Sequence, residues 1–204
     1  MSGITTTGAT VINGLDNLPK GILVWRALLQ RLGGIGIVVI ALFILPFLRI
    51  GGMQLFHLEG DDPYDKFLPK ITSVISKIVI IYLILTIVLF GLYYVNGMSL
   101  FDAVAHSFTT ISTGGFSTHD LSFAYFENHS ILFIAIIFMI LGSFPFLVLA
   151  KTNIKNPFAA FEDHQVKIFL LLLLISVCLI YFFAQKYIVG SEFQKIIIIS
   201  FNTI

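Results

Sequence analysis

Residues 71–95 run for 25 positions with Lys77 as their only charge. A helix of that length, rising about 1.5 Å per residue, is long enough to cross a hydrocarbon layer of about 30 Å, a task for which about 20 apolar residues suffice. Three further stretches have the same character: 25–48, within a helix expected over 19–48, then 131–150, with Gly142 and Pro145 as kink points, and 166–187. None alternates polar and apolar residues with the period of two that a barrel strand requires. In lipid each backbone polar group must be satisfied within the protein, so these runs are expected as helices. With 57% hydrophobic and 11% charged residues, the chain lies outside the composition of a soluble domain. The expected fold class is an all-α integral membrane protein.

The apolar runs are broken by a segment that lipid alone would not tolerate: Thr110-Ile111-Ser112-Thr113-Gly114-Gly115-Phe116-Ser117-Thr118. A second copy opens the chain, Ile4-Thr5-Thr6-Thr7-Gly8-Ala9-Thr10, and laying Gly8 over Gly114 brings Thr7 onto Thr113. Ahead of the later copy, 99–110 reads as a short helix with Ser99 as N-cap and Asp102 in its first turn. It reaches only part of the way across a bilayer, so it is expected to re-enter and stop, delivering its C-terminus to the hydroxyl and glycine loop. A third short helix, opened by Gly190-Ser191, ends in Ser200-Phe201-Asn202-Thr203-Ile204, which matches Ser107-Phe108-Thr109-Thr110-Ile111 at four of five positions. The repeating unit is therefore a spanning helix, a re-entrant helix, a loop and a second spanning helix. It divides the chain into 1–50 (loop and closing helix of a first unit), a connector at 51–70, a complete unit at 71–150, a connector at 151–165, and the start of a third unit at 166–204.

Arg49, Lys66, Lys70 and Lys77 cluster at the first connector and Lys151, Lys155 and Lys167 at the second, while 96–130 contains neither Lys nor Arg. By the positive-inside rule the connectors 49–70 and 151–165 are expected to be cytoplasmic, with the loops on the other side. The connector residues His57, Glu59, Asp61, Asp62 and Asp65 are expected as solvated turn formers, since they lack the spacing of known metal motifs. Gly33, Gly34 and Gly36 follow no strand and are expected to let helices pack closely. Cys178 has no partner for a disulfide and is expected as a small core residue. A net charge of +1 gives no field for nucleic acid. No nucleophile–base pair or phosphate loop supports an enzyme.

A potassium ion can cross a low-dielectric layer only where oxygens replace its water shell, and backbone carbonyls supply them without net charge. Thr6, Thr7, Gly8, Ser112, Thr113 and Gly114 are the candidates for such a site, with the negative end of the re-entrant helix behind them. Asp16, Asp120 and Glu127 are expected to gather cations at the outer mouth. Asp102 and His106, four residues apart, fit either a proton relay or capping and interfacial solvation.

These segments, with Leu32-Gly33-Gly34-Ile35-Gly36, Gly51-Gly52-Met53-Gln54-Leu55 and His106-Ser107-Phe108, resemble the Trk/Ktr/HKT superfamily of potassium transporters, and within it the bacterial TrkH subunits. The resemblance implies four units around a pore, each contributing one filter glycine, with Gly8 and Gly114 the first two. It implies K+ as the transported ion and no covalently bound cofactor. It implies a multi-pass protein of the bacterial inner membrane, in contact with lipid. The implied partners are a second copy in a homodimer, a cytoplasmic nucleotide-binding regulatory ring of the TrkA kind, and the repeats this chain lacks. The sequence therefore reads as part of a potassium uptake subunit, or as a fragment that does not conduct by itself.

Overall fold

The computed structural model describes residues 1–47, 63–126, 128–145, 148–149, 159–186, 188 and 191–204. Among them there are helices and turns and no strand. After a short turn at Leu15–Asn17, α1 spans Lys20–Phe47, within a residue of the expected 19–48. α2 spans Pro63–Val95 and starts eight residues before the expected position 71. Proline opens a helix without loss, because the first N–H of a helix has no intrahelical partner. His57 and the rest of 48–62 lie outside the described residues. α2 stops at Asn96-Gly97, where Gly97 adopts a φ of 103°, its N–H bonds to Tyr94 and that of Met98 to Tyr93, a glycine-terminated cap.

α3, Leu100–Ile111, is the short helix, and Ser99 caps it by accepting from the Asp102 N–H at 3.1 Å. Its 12 residues extend about 18 Å, roughly half a bilayer. α3 packs against α1 and α2 and also against α4, His129–Gly142. This enclosure buries polar residues as well as apolar ones: the Tyr93 and Thr110 hydroxyls bond at 2.9 Å between α2 and α3. Around them Leu89, Ala103, Ile111, Ile131 and Ala135 form the central core.

α4 ends earlier than the expected span over 131–150. Ser143 caps it, and Pro145 lies where a continuing helix would need its N–H and would meet the Leu141 carbonyl. A new turn then starts with Val148 and Leu149 bonding to the Pro145 carbonyl. After a single turn at Ala159–Glu162, α5 covers His164–Ala184 with Asp163 as N-cap, and α6 covers Glu192–Thr203 behind a Ser191/Gln194 capping box. By length and apolarity, 73–95 and α5 are suited to crossing a membrane. α5 has only Val166 buried, so Cys178 is exposed on an apolar helix and does not sit in the expected core. Lipid satisfies a thiol's apolar preference as well as a core does.

Each short helix lies on the helix that closes the preceding unit: α3 on α1, and α6 on α4. Glycine makes a further contact close, that of α4 with the end of α3. A Cβ on Gly142 would stand 2.6 Å from the Ile111 carbonyl oxygen, whereas one on Gly36 would meet nothing within 4 Å. Gly142→Val is expected to cost about 1–3 kcal/mol through overpacking, seen as a lower thermal midpoint in detergent, while Gly36→Ala leaves the midpoint unchanged.

Candidate functional site: the paired hydroxyl and glycine loops

The two loops are built alike, bond for bond. In the first, the N–H groups of Thr5, Thr6 and Thr7 bond back to the carbonyls of Met1, Gly3 and Ser2 at 3.2, 3.1 and 3.1 Å. In the second, those of Ser112, Thr113 and Gly114 bond back to Phe108, Thr110 and Thr109 at 3.3, 3.0 and 2.9 Å. The Thr6 hydroxyl donates to the Thr5 carbonyl and the Thr113 hydroxyl to the Ser112 carbonyl, each at 2.8 Å. The left-handed residues correspond too: Thr6 at φ 53° with Gly8 at 76°, and Thr113 at 49° with Gly115 at 78°. Gly8 is thus equivalent to Gly115, one residue beyond the Gly114 expected from the sequence overlay. Either alignment superposes a glycine on a glycine, and backbone handedness decides between them.

Gly114 has a different reason to be glycine. Gln30 of α1, fully buried, donates to the Gly114 carbonyl and accepts from the Phe116 N–H at 3.1 Å. Any Cβ on Gly114 would collide with the Gln30 amide. Gly33 of α1 faces the Ile4 carbonyl, and Gly34 would place a Cβ 2.8 Å from that of Ser112. Gly33 and Gly34 therefore admit one loop each, as close packing requires. Gly8 itself leaves no room for a side chain beside the Gly114 carbonyl, so the loops also meet each other.

This architecture consumes donors and leaves acceptors. The N–H groups of Thr6, Thr7 and Thr113 are bound back, and the carbonyls of Thr6, Thr7, Thr113 and Gly115 accept no hydrogen bond among the described residues. Thr7, Thr113 and Gly115 are exposed at the surface where the loops open. α3 ends at Ile111, immediately before the second loop, and adds the partial negative charge of its C-terminus. Loops with free N–H groups form anion nests. The opposite polarity here suits a cation.

Residues 1–197 match the family described as "TrkH: Cation transport protein". The chain belongs to the TrkH family. It is 41% identical over 178 residues to the Trk system potassium uptake protein TrkI of Halomonas elongata, covering 87% of this chain and 36% of that protein. It is 46% identical over 167 residues to the Trk system potassium uptake protein TrkH of Vibrio parahaemolyticus, covering 81% and 33%. The crystal structure of the potassium transporter TrkH from Vibrio parahaemolyticus matches 99% of this chain and 41% of its own, with a TM-score of 0.81 at 35% identity. The chain thus spans about a third of the length of the curated relatives it matches.

Within this TrkH-family chain the carboxylates of Asp16 and Asp120, expected to gather cations, are occupied in joining the two loop regions. Asp120 accepts from the N–H groups of Gly14 and Leu15, each at 3.1 Å. Asp16 bonds to His119 and, at 3.4 Å, to the Asp120 N–H. His119 stacks on Tyr125 and turns its Nε2 to within 3.4 Å of Asp102. Glu127 lies outside the described residues. Asp102 takes hydrogen bonds from Ser99 and Thr118, whereas His106 sits between the Asp102 backbone carbonyl and the Ser117 hydroxyl, edge-on to Phe123 and Phe126. The His106 ring does not touch the Asp102 carboxylate, so the pair braces the loop exit and forms no direct relay.

Sequence reasoning missed Gln30, Gly115 and two arginines. Arg26 donates to Thr10 at 3.0 Å and lies over the Phe116 ring at 4.3 Å, and Arg31 donates to Thr86 at 2.6 Å and lies over the Phe108 ring at 4.7 Å. The available signal was the polar face made by Arg26 and Gln30, four residues apart in α1.

Asp120→Ala leaves two loop N–H groups without their acceptor, and hydrogen exchange at Gly14 and Leu15 is expected to quicken about tenfold, about 1.4 kcal/mol of local stability. The His119 hydrogen bond holds the Asp16 carboxyl below its usual range. Its contribution is therefore complete above the unfolded carboxylate pKa and is lost as pH falls through the depressed folded value. Asp16→Asn is expected to remove that part of the acid sensitivity in thermal melts followed from neutral to acidic pH.

Proposed function

We propose that this chain supplies two walls of a potassium filter in a membrane potassium uptake system. The observation that carries the reading is the polarity of the loops: amide donors bound inward, carbonyl acceptors left free on exposed backbone. The names of the relatives, potassium uptake proteins, support K+ as the ion. Thr6, Thr7, Gly8, Ser112, Thr113 and Gly114 remain the filter residues, joined by Gly115. Their roles divide. Carbonyls of Thr6, Thr7, Thr113 and Gly115 replace the hydration shell of K+, Gly8 and Gly115 supply the left-handed turns, and Ser112 and Gly114 hold the loop in shape. The reaction is the passage of an ion, with K+ as substrate and no covalent step, so no catalytic residue is assigned.

The absence of Lys and Arg over 96–130 supports placing the loops outside and the segments 49–70 and 151–165 in the cytoplasm of a bacterial inner-membrane protein. Asp16 and Asp120, although bonded, keep their negative charge near the mouth and favour cations there. The homodimer, the TrkA-like nucleotide-binding ring and the division at 1–50, 71–150 and 166–204 rest on the resemblance and on the repeat.

A second reading has its own observation. Thr7, Thr113 and Gly115 are exposed, and α5 is bare along nearly its whole length, so two walls by themselves leave an ion path open to its surroundings. The chain alone is accordingly expected not to conduct. In cells lacking potassium uptake, this chain expressed with the coding sequence that adjoins it is expected to restore growth at low K+. Gly8→Val and Gly115→Val, each forced into a left-handed turn, are expected to abolish it. Growth unaffected by both substitutions would contradict the reading.

A further inference from the structure

Gln30 is the one fully buried side chain of α1 whose polar atoms are both spent on a single distant loop. It reaches from the closing helix of the first unit to the second loop, 84 residues away at Gly114 and 86 at Phe116. The neighbouring cations do not share the task, since Arg26 is bonded to Thr10 and Arg31 to Thr86. Packing alone would not select an amide here. A side chain that must donate to a carbonyl and accept from an N–H two residues later is met by Gln and not by an aliphatic residue of the same size.

The two bonds have a directional consequence. A trans peptide points its N–H and C=O to opposite sides. The Phe116 N–H belongs to the same peptide as the Gly115 carbonyl, so binding that N–H to Gln30 aims the Gly115 carbonyl away from the buried side, toward the exposed face of the loop. The Gly114 carbonyl is fixed by the second bond. The peptide between the two glycines is the one whose Gly114 carbonyl Gln30 binds, and the next peptide follows Gly115; glycine adopts either hand, so both are free to turn unless a partner holds them.

The repeat sharpens the point. Gly33 on the Ile4 carbonyl and Gly142 on the Ile111 carbonyl occupy equivalent seats, which places Met139 of α4 where α1 carries Gln30. A thioether cannot donate, so α4 offers no clamp of this kind from the corresponding position.

We propose that Gln30 is a positioning residue for ion selectivity: by holding the far side of the Gly115 peptide it fixes the direction of one filter carbonyl. Selectivity in a carbonyl-lined filter depends on how many dipoles face the ion and how firmly, so loss of the clamp lowers discrimination before it lowers flux. The inference rests on the transport reading above.

The test is competitive K+ and Na+ uptake by cells carrying the chain with its adjoining coding sequence. Gln30→Met, the residue that α4 carries, is expected to lower the preference for K+ about tenfold, equivalent to about 1.4 kcal/mol, through a higher KM for K+ with maximal uptake little changed. Gln30→Glu keeps an acceptor for the Phe116 N–H and is expected to fall between Met and wild type. A fall in maximal uptake with the preference unchanged would mark a merely structural role and overturn the inference. If Gln30→Met does not reach the membrane, Gln30→Leu, which has neither donor nor acceptor, decides: a preference below wild type upholds the clamp, and one equal to wild type overturns it. No uptake from the wild-type pair would instead contradict the transport reading, and this inference with it.

Discussion

A backbone loop at membrane depth is tolerated only if its polar groups are satisfied by protein or face a wet path. Here that requirement is met unevenly, and the unevenness defines the site. The N–H groups of Thr5 to Thr7 and of Ser112 to Gly114 fold back onto the preceding turn, so the loops can leave a helix without exposing donors. The carbonyls of Thr6, Thr7, Thr113 and Gly115 are left without a hydrogen bond among the described residues. The rest of the structure keeps this arrangement in place: Gly33, Gly34 and Gly142 let helices approach the loops, and Gln30 closes the second loop from behind.

The unit is repeated more faithfully in backbone than in side chains. Equivalent hydrogen bonds and left-handed residues recur in both loops, and α3 lies on α1 as α6 lies on α4. The side chains around the loops differ, with Gln30 of α1 facing one loop and Met139 at the corresponding place in α4. The two loops thus share one backbone geometry while the side chains behind them diverge. The ties through Asp16, His119 and Asp120 join the two loop regions, which gives these carboxylates a structural part.

Much of the fold was legible because the bilayer imposes lengths that composition reveals. Helices at 20–47, 63–95 and 164–184 and the Ser99 and Ser191 caps follow from apolar runs and local side-chain chemistry. The end of α4 at Gly142 was read as a kink, because sequence alone does not say whether a helix resumes after Pro145. The pairing of Gly8 with Gly115 was hidden by a run of threonines against a glycine pair, where identity matches slide by one and only the sign of φ fixes them. Gln30 was missed for another reason: the polar face it shares with Arg26 marks a polar contact, but its partners lie more than eighty residues away in sequence. Cys178 was misplaced because burial habits learned from water-soluble proteins do not distinguish a core from lipid.

The central claim is that free carbonyls of two equivalent loops contact the transported ion. Rubidium replaces potassium with little change in size and gives an anomalous signal, so crystals of the assembled transporter grown in rubidium chloride test it directly. The account predicts an anomalous peak in contact with the carbonyls of Thr6, Thr7, Thr113 and Gly115. A peak elsewhere along the path, with these four carbonyls making no contact to it, would contradict the account.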